Sequence, residues 1–348
     1  MSKLHPMFKV SSRTRLAGWL LVVASLVAAG GCNPSRKVSV PQLLTPLAEA
    51  DTSRLISEIN RLAVVRSLRG KVDIQFLDTS FAECGVAEKY RTAEGSVTLQ
   101  RPGQVYLTID GPFGVNIAQM TSDGRQFRVA VLRGDEKYKK FVKGTNDADY
   151  GKLPNAEPVK CNGNGDQADA MGVRTVSALS SLRPQHFTDA LLLLPAATPG
   201  ANFTYAQTET FEEEPDARPR AKKGARVVRG YYLLVELVPL AEGRARVTRR
   251  FWFDRVGELR LARVQTYDAR GQLTTDVVYK SPVNFGEAGT YKLPSQIELT
   301  RPQDRYALRI SYQTPESVKL DQPYEGEVFD LKNSWNLPEV DLDAGNRK

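Results

Sequence analysis

The chain has 348 residues, with 48 Lys and Arg against 40 Asp and Glu, a formal net charge of +8. Four of those cations (Lys3, Lys9, Arg13 and Arg15) fall in residues 1–31, which carry no acid, so the remainder stands at +4, 44 basic against 40 acidic. So small an excess, without a long basic stripe interleaved with aromatics, leaves no footprint for nucleic acid, and nothing after Leu26 is long and apolar enough to span a bilayer.

The first element is a processing signal. A basic start leads into the apolar run Leu16–Val27, then Ala28-Ala29-Gly30-Gly31-Cys32, small side chains of the kind a signal peptidase needs beside the scissile bond. A cysteine directly after them resembles the bacterial lipobox, with Ala29 where leucine is usual and Gly30 where alanine or serine is. Residues 1–31 are therefore read as a lipoprotein signal peptide and Cys32 as the acylated first residue of the mature protein. Residues 32–50, with three prolines, read as a tether to the main domain, 51–320.

Asp51-Thr52-Ser53 supplies N-cap candidates, and Leu55, Ile56, Ile59, Leu62 and Ala63 recur at helical spacing, predicting one amphipathic helix that ends near Ser67. Strand signals follow at Leu68–Leu77 and Tyr90–Gln100, then across the turn Arg101-Pro102-Gly103-Gln104. Beyond it Val105, Leu107 and Ile109 alternate with Tyr106, Thr108 and Asp110, the period-2 mark of a sheet with unlike faces. Asn116–Thr121, Gln126–Leu132 and Glu136–Val142 continue the series before a Gly-, Asn- and Asp-rich loop, 144–172. Thr175–Leu194 reads as helical, with Pro184 in a first turn and Phe187, Ala190, Leu191 and Leu194 on one stripe. Glu209–Arg226 switches from acidic to basic and reads as a solvated loop. Four more strands are expected at Val227–Val238, Arg244–Phe253, Glu258–Tyr267 and Gln272–Tyr279, and two at Ser295–Thr300 and Arg305–Gln313. Residues 321–348 read as an acidic tail with Tyr324, Phe329 and Trp335 as anchors. So even a meander with two helical segments predicts a mainly β fold, a strongly curved antiparallel sheet or open barrel.

The catalytic inventory is thin. His186 is the one histidine of the mature chain and lies on a helix stripe beside Phe187, the setting of a structural histidine. No Gly-x-Ser-x-Gly elbow, His-Glu-x-x-His, Walker loop or Cys-x-x-Cys occurs, so the reading is of a protein that is not an enzyme and binds no metal. Cys84 and Cys161 both sit in loop-like sequence of an exported chain, where a disulfide and two free thiols are about equally expected. Asn202-Phe203-Thr204 fits a glycosylation acceptor but has little weight in a bacterial lipoprotein.

Tyr106–Met120 is more specific. A strand runs into Gly111-Pro112-Phe113-Gly114 and another leaves; Pro112 fixes φ and Gly114 permits a sharp reversal, which holds Phe113 at the tip, where it either folds back onto the sheet or projects into water. Together with Arg-Gly-Lys-Val-Asp-Ile, Glu-Gly-Ser-Val-Thr-Leu-Gln-Arg-Pro-Gly-Gln-Val-Tyr-Leu and Ser-Asp-Gly, in an order of helix, curved strands, central helices and more strands, this resembles the LolA/LolB family of lipoprotein carriers. The motifs cover residues 54–142, and the hairpins from 227 to 313 match by pattern.

The resemblance implies a half-barrel capped by α-helices, with an apolar concave face that holds acyl chains. It is closer to the LolB branch, a lipid-anchored receptor at the outer membrane. Phe113, flanked by Pro112 and Gly114, matches the loop leucine with which that branch inserts acyl chains into the bilayer. The partners implied are membrane lipid, acylated lipoprotein cargo and a periplasmic carrier as donor. No cofactor is implied beyond the lipid on Cys32, and the chain is expected to be a monomer. Asn33, rather than aspartate, after Cys32 fits outer-membrane sorting with the domain facing the periplasm. The runner-up reading is an envelope sensor on the same fold that binds lipid or lipoprotein without transferring it.

Two expected outcomes follow from sequence. Cys32→Ser should abolish labelling by palmitate analogues and release the protein from the membrane fraction; unchanged labelling would refute acylation at Cys32. If Cys84 and Cys161 are bridged, the folded, exported protein should yield no alkylatable thiol without reductant, and reduction should cost a few kcal/mol, about 4 in the chain-entropy model.

Overall fold

A computed structural model describes residues 40–78, 88–89, 92–134, 136, 139–146, 148, 184–200, 202–286, 289 and 291–346. Cys32, Cys84, Cys161, the signal segment and most of the 144–172 loop lie outside them, as does the 175–183 part of the expected central helix. The compact body is residues 43–348. The fold is mainly β, one large curved sheet that stays open.

The strands are β1 (Gln42–Leu43), β2 (Ser67–Asp78), β3 (Glu88–Lys89), β4 (Ala93–Gln100), β5 (Gln104–Asp110), β6 (Asn116–Asp123), β7 (Gln126–Val131) and β8 (Lys140–Thr145). There follow β9 (Thr204–Pro215), β10 (Arg226–Pro239), β11 (Ala245–Asp254), β12 (Arg260–Tyr267), β13 (Leu273–Phe285), β14 (Tyr291–Arg301), β15 (Tyr306–Tyr312), β16 (Lys319–Leu320) and β17 (Glu339–Asp341). Two meanders make up the sheet. In one, β9 to β15 pair in chain order, each with the next, antiparallel. In the other, β2 pairs with β4 and the chain runs on through β5, β6, β7 and β8. The antiparallel pair β15–β2 joins them, with Ile310 opposite Ile74 and Leu308 opposite Phe76. At the far side of β8 the short β17 adds in parallel.

Alternation decides which face is covered. Val105 and Leu107 of β5 are buried, as are Tyr306, Leu308, Ile310 and Tyr312 of β15, while Arg309 stays exposed on the outer face. Two helices cover that inner face. Helix α1 (Thr52–Leu62) is capped by Asp51, whose Oδ1 accepts from Arg54 N at 2.8 Å, and it ends at Leu62, a turn earlier than expected, because β2 already starts at Ser67. Its Leu55 and Ile59 are fully buried against Leu234, Phe251 and Phe253, each contributing about 1.5–3 kcal/mol. Helix α2 (Pro184–Leu191) presses Phe187 and Ala190 onto the other half of the face, among Leu107, Met120 and Val129. The buried His186 Nδ1 meets the Tyr306 hydroxyl at 2.6 Å, a structural bond as the stripe suggested.

Glu209–Arg226, expected to be a solvated loop, is instead mostly hairpin, with Glu209–Pro215 in β9 and only 216–225 turning. The charges hid the alternation. Glu213 pairs with Arg226 and Glu214 with Arg229, so acidic β9 is neutralised by basic residues of β10. The acidic tail is likewise bound to the sheet. Phe329 is fully buried, Asp330 pairs with Arg128, and Lys143 pairs with Glu339 beside β17; Trp335 remains half exposed.

Gly95 of β4 allows the closest approach in the sheet: a Cβ there would lie 2.1 Å from the Thr108 carbonyl oxygen of the paired β5. Backbone cannot give way as a side-chain end can. Gly95→Ala is therefore expected to cost at least about 2 kcal/mol in a denaturant melt, while Gly114→Ala, whose Cβ meets nothing, pays only its left-handed backbone.

Candidate functional site

The loop between β5 and β6 is a single tight turn, Pro112–Gly114, closed by Gly114 N to Gly111 O at 3.2 Å and Gly111 N to Val115 O at 2.8 Å. Phe113 sits at its tip with φ 65° and ψ 23° and is 102% exposed; Val115 beside it is 40% exposed. A bulky residue in the left-handed region costs on the order of 1–3 kcal/mol, and a fully hydrated phenyl ring recovers none of it by burial. Glycine or asparagine would serve the turn better. The structure thus places Phe113 where a core role is impossible.

A second turn shares this geometry and was not legible in sequence. Between β10 and β11, Ala241–Gly243 forms the same short turn, with Glu242 at φ 62° and Gly243 at φ 71° against Phe113 at 65° and Gly114 at 70°. Leu240 at its base is 44% exposed. Tracing strand directions through the pairings puts both turns at the same end of the strands. The only available signal was the spacing of Leu240 and Gly243 between two strands.

Among the described residues, a cleft of about 420 Å³ opens between the end of α1 and strands β12–β14. Leu62, Leu259, Leu261, Tyr279 and Leu293 give it apolar walls. Its rim is ionic and carries more cations than acids: Arg61 pairs with Glu58 and Lys292 with Glu258, while Lys280 shares Glu298 with Arg309 and Arg260 shares Asp254 with Arg229. The volume is within the usual range of ligand pockets, ~300–1,000 Å³. The Tyr279 hydroxyl donates to Ala190 O at 3.2 Å, tying the cleft wall to α2. Four strands separate β5 from β13, so the loop tip and the cleft are not brought together. Among the described residues no group of His, Cys, Asp and Glu could hold a metal ion.

No protein-family model matches the chain, and no curated protein does. Among solved structures it is similar to a LolA superfamily protein from Nitrosomonas europaea, at 11% identity over 81% of this chain and 99% of that one, TM-score 0.38. It is also similar to a DUF1329 family protein from Desulfovibrio piger, at 11% identity over 80% and 95%, TM-score 0.40. A third is a domain described as an outer membrane lipoprotein-sorting protein from Vibrio parahaemolyticus, at 10% identity over 80% and 95%, TM-score 0.38. At such identities and scores these are resemblances, and no residue of the chain takes a role from them.

The segment that follows α2 is held to the sheet by polar contacts. The buried Glu236 of β10 accepts from Arg249 Nε at 2.8 Å, Thr248 Oγ1 at 2.8 Å and the Tyr205 hydroxyl at 2.8 Å. The same Arg249 donates to Pro195 O at 2.9 Å and Leu194 O at 3.2 Å, fastening the segment that follows α2. Burial pushes the Glu236 carboxyl up, but the bonds from Arg249, Thr248 and Tyr205 outweigh it and hold the group below its ordinary value of 4.5. A carboxyl lowered in the folded state stabilises above its ordinary pKa, and that contribution is lost as pH falls through the lowered one. Glu236→Gln should therefore cost about 2–4 kcal/mol at pH 7, by leaving Arg249 unpaired, and should flatten the loss of stability below about pH 4.5 in melts taken across pH.

Proposed function

We propose that this chain is a lipid-anchored protein of the bacterial cell envelope that binds acyl chains of lipoproteins or lipids and passes them to the outer membrane, touching the bilayer with Phe113. The observation that carries the reading is the fully exposed phenylalanine in a left-handed conformation at a proline–glycine tip. It is strained and hydrated in water, and both costs are repaid where the ring enters lipid. The resemblance of its motifs to lipoprotein carriers, the lipobox-like segment ending at Cys32 and the apolar walls of the cleft beside α1 support the same reading. Acyl-chain burial supplies about 0.8 kcal/mol per methylene, so transfer calls for an apolar cleft and a bilayer contact but no nucleophile, metal or cofactor. Cys32 and Asn33 set the location, on the periplasmic face of the outer membrane.

One observation favours a second reading, an envelope sensor on the same fold. Leu55, Ile59 and Phe187 already fill much of the inner face, so a long acyl chain would need the helices to move. A sensor that binds without transferring would tolerate that closure.

Phe113→Glu should leave the melting temperature nearly unchanged and keep cargo binding, while delivery of a fluorescent acylated peptide to liposomes falls about tenfold or more, since burying a phenylalanine is worth ~1.5–3 kcal/mol. Phe113→Gly should lose delivery too and be up to about 1 kcal/mol more stable. Unfolding of Phe113→Glu, or normal delivery by both variants, would overturn the role of the tip. Binding of cargo without delivery by the native protein would favour the sensor.

A further inference from the structure

The turn between β9 and β10 is unlike the other hairpin ends of this protein. Residues 216–226 hold five basic residues and one acidic. The tip is built as two consecutive tight turns, closed by Ala221 N to Arg218 O at 3.1 Å and Ala225 N to Lys222 O at 2.9 Å, with Asp216 N bound to Ala225 O at 2.8 Å across its base. Arg218 is spent on Asp216, whose carboxyl it holds down at about 2, and Arg226 on Glu213. Arg220, Lys222 and Lys223 are exposed and have no carboxylate partner among the described residues. By contrast, the charges at the neighbouring β11–β12 turn are paired: Glu258 with Lys292 and Arg260 with Asp254. Arg220 also holds a left-handed φ of 69° at the apex, so the three cations project from a hydrogen-bonded finger rather than from a loose tail.

Its position gives the finger a meaning. The chain joins the body along β10, with Leu44 N bound to Val228 O at 2.9 Å and Ala48 N to Arg255 O at 2.7 Å, on the stretch of β10 next to the finger. Read backwards from Ala48 to Leu44, the chain heads along β10 toward Arg226 and the finger. Cys32 precedes Leu44 by twelve residues, a reach of at most about 40 Å. The geometry points to a second membrane contact: Arg220, Lys222 and Lys223 engage the anionic headgroups of the membrane to which the tether leads. The contact is distinct from Phe113, which lies at the opposite end of the strands, so the two contacts are made in different orientations of the body against the bilayer. It rests on the reading of Cys32 for which membrane is meant, but headgroup binding itself requires neither the anchor nor an acyl cargo.

The test uses the chain from Asn33 onward without its lipid, which keeps every contact of the described residues, in flotation with vesicles of phosphatidylcholine alone or with added phosphatidylglycerol. Each basic residue near an anionic surface contributes about fivefold. Binding should therefore appear with phosphatidylglycerol and disappear at high salt. Arg220→Glu with Lys222→Glu and Lys223→Glu should weaken it about a hundredfold at unchanged melting temperature, whereas Phe113→Glu should leave the salt-sensitive part intact. Equal binding by the triple variant, binding indifferent to lipid charge, or a preference for an acidic polypeptide over the anionic vesicles would overturn it. Failure of acyl-cargo binding, measured separately, would sink the carrier reading and leave this contact standing.

Discussion

Everything in this fold hangs on the pairing of β15 with β2. Each meander is built of short hairpins that find their partners locally, but joining them brings Tyr306–Tyr312 beside Val72–Asp78, residues more than two hundred positions apart. Closing so long a loop is costly in chain entropy, and slow, before any contact rewards it. The reward is apolar: Val72, Ile74, Leu308 and Ile310 are all buried on the helix-bearing face, in one cluster with Val97, Leu107 and Phe187. Without that seam α2, which packs on β5 and β6 from one meander and β14 from the other, would have no continuous surface to cover.

At β10–β12 two arginines, half-buried Arg249 and buried Arg255, fix the segment after α2 and the amino-terminal arm. Arg249 ties the end of α2 to Glu236. Arg255, nearly buried, stacks on the Tyr232 ring at 4.1 Å and reaches Glu209 at 2.6 Å, Glu49 at 2.7 Å and the Ala48 carbonyl at 3.0 Å. Guanidinium suits both places because one planar fork can satisfy a carboxylate and a backbone carbonyl while its face lies on an aromatic ring. The arm through Ala48 and Glu49 is thus locked to β9, β10 and the β11–β12 turn.

The distribution of exposed groups along the strands follows from the same register. Phe113, Val115 and Leu240 are exposed at one end, and the basic finger and the arm at the other. A β-sheet keeps such ends apart because each strand rises about 3.3 Å per residue and does not bend freely across its hydrogen bonds. Apolar tips and cationic tip are therefore separate surfaces with separate chemistry.

Much of this was written locally. The alternation of Val105, Leu107 and Ile109, or of Leu308 and Ile310, identified strand and buried face because period 2 survives in any sheet with one covered side. Asp51 announced the start of α1, and Pro112-Phe113-Gly114 announced its turn, since proline and glycine restrict backbone angles without help from distant residues. What sequence could not state is where an element's charges go. Glu209–Pro215 looked solvated because its carboxylates reach Arg226, Arg229 and Arg255 only once β9 lies on β10, and the acidic tail, though Phe329 was an expected anchor, shows its place only where Phe329 and β17 meet β5–β8. That Phe113 is bare rather than folded back, that Leu240 shares its turn, and that the helices cover the inner face were likewise decided by tertiary structure. Exposure and cavity volume depend on which residues become neighbours, whereas periodicity and turn chemistry depend only on residues already adjacent in the chain.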